Sequence, residues 1–204
     1  MPVTLMAAFA ATRWPGLLPQ NFSAAYALVF CAAVYLPQRF WWLPLATMLV
    51  TDVALNTYYS LAYGIDAFKA TLLVNYAVYL IIIWLGRRLG PHANFAMLLG
   101  GGMVGAVVFY LITNTAAWFF NPFGNPEYTR DLIGWFIALT KGTSGYMQTW
   151  EFFRNTLLSG GLFTGLFVGI MKLTAGAESP KDKECPEPAE DPAPEDSIPD
   201  EAKA

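Results

Sequence analysis

Charged residues make up only 13% of this 204-residue chain, which holds one histidine and two cysteines. A typical soluble domain carries about twice that charge. Cys31 sits in an apolar run and Cys185 in a polar terminal stretch, so neither a disulfide between them nor a cysteine metal site is expected. His92 stands alone beside Pro91, as a solvated loop histidine does. No P-loop, HExxH or GxSxG pattern occurs, which excludes unaided ATP hydrolysis and leaves little foundation for an enzyme. Selectivity-filter sequences are missing too. No internal repeat supports an inverted-repeat transporter. The few cations scatter at the ends of apolar runs without forming a basic stripe, so nucleic acid is not an expected partner.

What is abundant is apolar sequence: 55% of the chain, with mean hydropathy +0.40. Its distribution is uneven. From Glu178 onward ten acids face three lysines, net −7 against a chain total of −3, so the body carries +4. The expected division is a helical transmembrane bundle over 1–174 and an acidic, proline-rich, disordered tail over 175–204.

Crossing a hydrocarbon core of about 30 Å takes roughly 20 apolar residues. Runs at 22–37, 39–60, 67–86, 93–119 and 153–173 meet or approach this, and a weaker one at 3–18 is interrupted by Arg13, Trp14 and Pro15. Met6–Ala11 has no charged segment before it, so this first run is read as a retained helix, not a signal peptide. The expected fold is all-α: six transmembrane helices, the first short, joined mostly by tight antiparallel connections. Between the last two, Leu132, Trp135, Phe136 and Leu139 give a short segment one apolar side, as in an interfacial helix. Arg39, Arg87, Arg88 and Lys172 fall on one side, Arg13 and Lys69 on the other. The long loop's Arg130, Lys141 and Arg154 join the second group and weaken the bias without reversing it. The bias places both termini in the cytoplasm, in a bacterial inner membrane.

Polar groups inside a bilayer are costly and turn toward the bundle interior. With alternating helix directions, Asn21, Asn56, Asn75, Asn114, Arg154 and Asn155 share the outer half of the membrane, with Asp52 nearer the middle. Five helices thus supply polar groups at one level, as a pocket open to the outer face requires. Tyr59, Tyr63, Trp118 and Trp135 are available as its walls. Amides also bond neighbouring helices together, and each of these carries that packing reading beside the ligand-binding one. Asp52 demands more, because a carboxylate at that depth needs a cation or a donor network, and Arg154 is the nearest candidate. Ala7 and Ala11, one turn apart, form a small-residue face suited to a partner helix. The glycines at 100–102, 105, 160, 161 and 165 suit packing within the bundle.

The segments RWPGLLPQNFSAAYALVFCAAVYLP, LVTDVALN, FYLITNTAAWF, YTRDLIGWFIAL and FFRNTLLSGGLFTGLFVG resemble an uncharacterised bacterial membrane-protein family, a domain of unknown function. That family is similar in size and helix pattern to the substrate-binding S components of energy-coupling-factor vitamin transporters. The resemblance implies six helices and a vitamin-like ligand bound near the outer face by Asp52, Asn56, Asn75, Asn114, Trp118, Arg154 and Asn155. It also implies a transmembrane coupling subunit with two ATPases, docking partly on Ala7 and Ala11. The expected function is therefore a non-catalytic solute-binding uptake subunit without a cofactor. The alternative is a membrane structural or assembly factor with no solute site.

Overall fold

In a computed structural model, which describes residues 2–64 and 72–178, the chain is all-helical. Its seven α-helices are α1 (Pro2–Thr12), α2 (Ala25–Tyr35), α3 (Leu43–Tyr63), α4 (Leu72–Leu89), α5 (Phe95–Phe120), α6 (Leu132–Thr140) and α7 (Thr149–Glu178), with a 3-10 turn at Gln38–Phe40. Lys69, Cys185 and the acidic tail from residue 179 lie outside the described residues.

Three helices are long and apolar enough to cross a membrane: Leu72–Leu89, Phe95–Phe120 and Thr149–Thr174. Among the described residues these three are fewer than the six spans read from hydropathy. α1 and α2 have only 11 residues each, about 16 Å at 1.5 Å per residue. α3 has the length, 21 residues, but Asp52, Asn56 and a Thr-Tyr-Tyr-Ser run make its second half polar. α2 misled for a physical reason. Every residue from Ala25 to Val34 is buried, because α2 runs through the centre of the bundle against α4, α5 and α7. A helix apolar all round is a core helix or a membrane span, and hydropathy alone does not separate the two.

Local chemistry fixes the helix ends. α2 starts without a side-chain cap, and the preceding segment helps instead: Thr12 Oγ1 accepts from Ala24 N–H (3.2 Å) and Ser23 Oγ from Ala25 N–H (3.3 Å). Pro44 opens α3, and Gly64 closes it at φ 67°. Asn94 caps α5 by accepting from Met97 N–H at 2.8 Å, and Asp131 caps α6 by accepting from Gly134 N–H at 2.7 Å.

The glycines let the long helices close on α2 and on each other. A Cβ at Gly86 would lie 2.8 Å from Phe30 O, and one at Gly160 only 3.0 Å from Ala106 Cβ. α6 is tied to α5 by two hydrogen bonds, Tyr110 OH to Leu139 O and Trp135 Nε1 to Thr115 Oγ1 (3.0 Å), and Trp118 Nε1 donates to Thr129 O (2.7 Å) in the segment before it. Its inward face is Gly134 and Ala138. Leu132 and Phe136, expected on one side with Trp135 and Leu139, point outward at 81% and 63% exposure.

Candidate functional site

The first residues of α2 lie midway along its neighbours. Tyr26 packs on Phe109 at 4.8 Å between ring centroids, and Tyr79 stacks on Phe109 at 5.3 Å. Above this level no helix continues α2. The segment from Arg13 to Ser23 crosses there, and beneath it lies a cavity of about 620 Å³.

Asp52 and Asn56 enter the cavity from α3, Asn75 and Tyr79 from α4, Thr113 from α5, and Asn21 from the crossing segment. Asp52 is buried, and both its oxygens are engaged. Arg13 Nη2 stands 2.5 Å from Oδ1, and Tyr76 OH donates to Oδ2 at 2.8 Å. The cation is thus Arg13, not Arg154. α1 stops at Thr12, and the turn that follows brings Arg13 beside the middle of α3, with its guanidinium also 5.7 Å from the Phe9 ring centroid. Arg154 lies exposed at the start of α7, over the Trp150 ring at 5.4 Å.

One turn from Asp52, Asn56 holds its amide nitrogen buried and without a hydrogen-bond partner among the described residues. Such a donor costs about 1–3 kcal/mol when left unmet. The ion pair neutralises the charge, and the remaining lining combines amides, hydroxyls and aromatic rings with aliphatic residues such as Leu18, Leu55 and Leu72. The site is therefore equipped to hold a hydrogen-bonding molecule, and among the described residues no three of His, Cys, Asp and Glu come together as metal ligands would.

The other sequence-predicted residues do not line this cavity. Asn114 Nδ2 donates to Tyr110 O on its own helix (2.8 Å), and Trp118 secures the approach to α6. Asn155, buried, donates to Gln20 O at 3.0 Å and so anchors the crossing segment to α7. Ala7 and Ala11 are exposed on α1. Sequence reasoning missed Arg13 and Tyr76 as partners of Asp52. The available signal was one unmatched arginine and one unmatched aspartate, both within apolar runs.

Outside the spanning helices, two carboxylates sit below their ordinary pKa range. Glu127 is held down mainly by its bond with Ser144, and Asp131 mainly by the Gly134 N–H it accepts and then by the Thr129 hydroxyl. Both stabilise the α5–α7 connection around α6.

Fold and site define an all-helical protein, over its described residues, with three helices long and apolar enough to cross a membrane and a polar chamber above its central helix. The chain belongs to a family of unknown function (DUF6580), whose model matches residues 1–182. No curated protein and no solved structure matches the chain. None of these comparisons links the family to S components.

Proposed function

We propose that this protein binds a small polar solute in the chamber above α2, reached from the outer face of a bacterial inner membrane, with both termini in the cytoplasm. One observation carries the reading: a cavity of about 620 Å³ in which Asn56 offers a buried, unpartnered donor beside a neutralised Asp52. Its volume falls within the range of about 300–1,000 Å³ usual for ligand sites. α3, with its polar face toward the chamber, then acts as a further membrane crossing, and the short α1 and α2 complete a six-helix bundle. Uptake in the manner of an S component requires a coupling subunit with ATPases, for which the exposed Ala7 and Ala11 of α1 are the docking face.

A structural or assembly role is favoured by a different set of contacts. Trp118 and Asn155 hold protein segments together, and Asn114 is engaged within its own helix. The two readings separate experimentally. Protein extracted in native membrane patches is heated, and released small molecules are identified by mass spectrometry. Solute binding predicts a bound compound whose retention falls by roughly 10- to 100-fold in Asn56→Leu, the loss of one to two hydrogen bonds in a buried site. Absence of any released compound from folded protein supports the assembly role.

A further inference from the structure

Beside the polar chamber lies a second space, of about 330 Å³, between α1 and α3. Ala10, Thr51, Ala54 and Tyr58 form its distinctive walls, and Arg13, Trp14, Pro15 and Leu55 line both spaces. The partition between them is thus made of side chains from one turn and one helix. The groove is mostly apolar where the chamber is polar. Ala10 and Ala54 are exposed on the outside of the bundle, and Tyr58 is 46% exposed, so the groove opens sideways, toward the bilayer. α1 packs chiefly on α2 and α3, and its Ala10 side stays exposed among the described residues. Among the described residues, the charges lining either space, Arg13 and Asp52, cancel each other.

We propose that one ligand occupies both spaces: an amphiphile with a net-uncharged, hydrogen-bonding head in the chamber and a single slender apolar chain between α1 and α3. This rests on the chamber being a ligand site. Alanine walls and a volume of about 330 Å³ admit a methylene chain. Continuity through four shared residues makes the groove an extension of the polar site. A lipid-filled crevice without that continuity would share no walls with the chamber. Access is lateral, from the outer leaflet, past Trp14 and Tyr58.

The test uses the full chain in nanodiscs of phosphatidylethanolamine and phosphatidylglycerol. The probe is n-dodecyl-β-maltoside carrying a diazirine at the end of its chain, and adducts are mapped by peptide mass spectrometry. The expected result is labelling at Ala10, Ala54 or Tyr58 that falls roughly tenfold in Ala54→Trp, which fills the groove. It falls equally in Asn56→Leu, which alters only the chamber. Asn75→Leu serves as a second chamber variant should Asn56→Leu fail to fold. Labelling that survives both chamber variants, or no labelling at these residues, overturns the joint site. A co-purified water-soluble compound, lost from Asn56→Leu but kept by Ala54→Trp, also overturns it while leaving solute binding intact.

Discussion

Asp52 concentrates the energetic problem of this protein at one atom group. A carboxylate at the centre of a membrane helix costs about 3 kcal/mol even on the mildest insertion scales. Arg13 and Tyr76 together offset that cost, since each takes one oxygen. Removing one member strands the other. Asp52→Ala is expected to lower stability by about 2–4 kcal/mol, while Asp52→Leu combined with Arg13→Met recovers most of the loss, because a buried pair is weakly favourable over apolar replacements. Thermal unfolding of the two single variants and the double variant checks this, and additive losses would show the pair to be uncoupled. Asn56 predicts the opposite behaviour. Its amide nitrogen has no partner among the described residues, so Asn56→Leu should hold or raise stability, by up to about 1 kcal/mol, while reducing ligand retention. A clear destabilisation would mean the amide has a structural partner.

At the scale of elements, the helix contacts turn on where a methyl group fits. Gly86→Ala drives a Cβ into Phe30 O and Ala33, 2.8 and 2.9 Å away, whereas a Cβ at Gly100 meets nothing within 4 Å. Gly86→Ala should therefore cost about 1–3 kcal/mol, and Gly100→Ala should be neutral or stabilising by up to about 1 kcal/mol. The glycine pattern was legible in the sequence as packing, but which of three consecutive glycines faces a neighbour was not, since that depends on helix rotation. The same limit governed the polar residues. Helix direction gives depth along the membrane normal, and it brought Asp52, Asn56, Asn75 and Asn21 to one chamber. Depth carries no azimuth, so Asn114, Trp118 and Asn155 sit near that level yet serve α5, α6 and the crossing segment. α6 also carries a pH dependence. Because the folded pKa values of Glu127 and Asp131 are depressed, their stabilisation is present above the ordinary carboxylate range, about 4, and is lost as pH falls through the folded values. Hydrogen exchange in residues 125–140 should accelerate below that range relative to α7, and equal protection at pH 3 and pH 7 would contradict the capping account.

The whole molecule is an inverted arrangement of polarity, with lipid-ready surface outside and a wet chamber within. Exposed apolar side chains run along its outer faces, including Val53 on α3, Leu80 on α4, Leu111 on α5 and Leu166 on α7. Aromatic residues gather at both ends. Trp41, Trp42 and Trp84 lie near Arg39 and Arg88, and Phe119, Phe120 and Trp150 lie at the opposite end, as in interfacial belts. The long helices were legible because apolar length is a strong signal. The central α2 was not, because burial by protein and burial by lipid select the same residues. The claim on which the rest depends is that water reaches Asn56 and Asn75 while their helices stand in a bilayer. Single cysteines at these positions, in a background with Cys31 and Cys185 replaced by serine, test it with a charged, membrane-impermeant methanethiosulfonate applied to intact cells. Asn56→Cys and Asn75→Cys should react, and Val53→Cys and Leu111→Cys, on the outer faces of the bundle, should not. Unreactive cysteines at 56 and 75, or equal reaction at all four positions, would contradict the account.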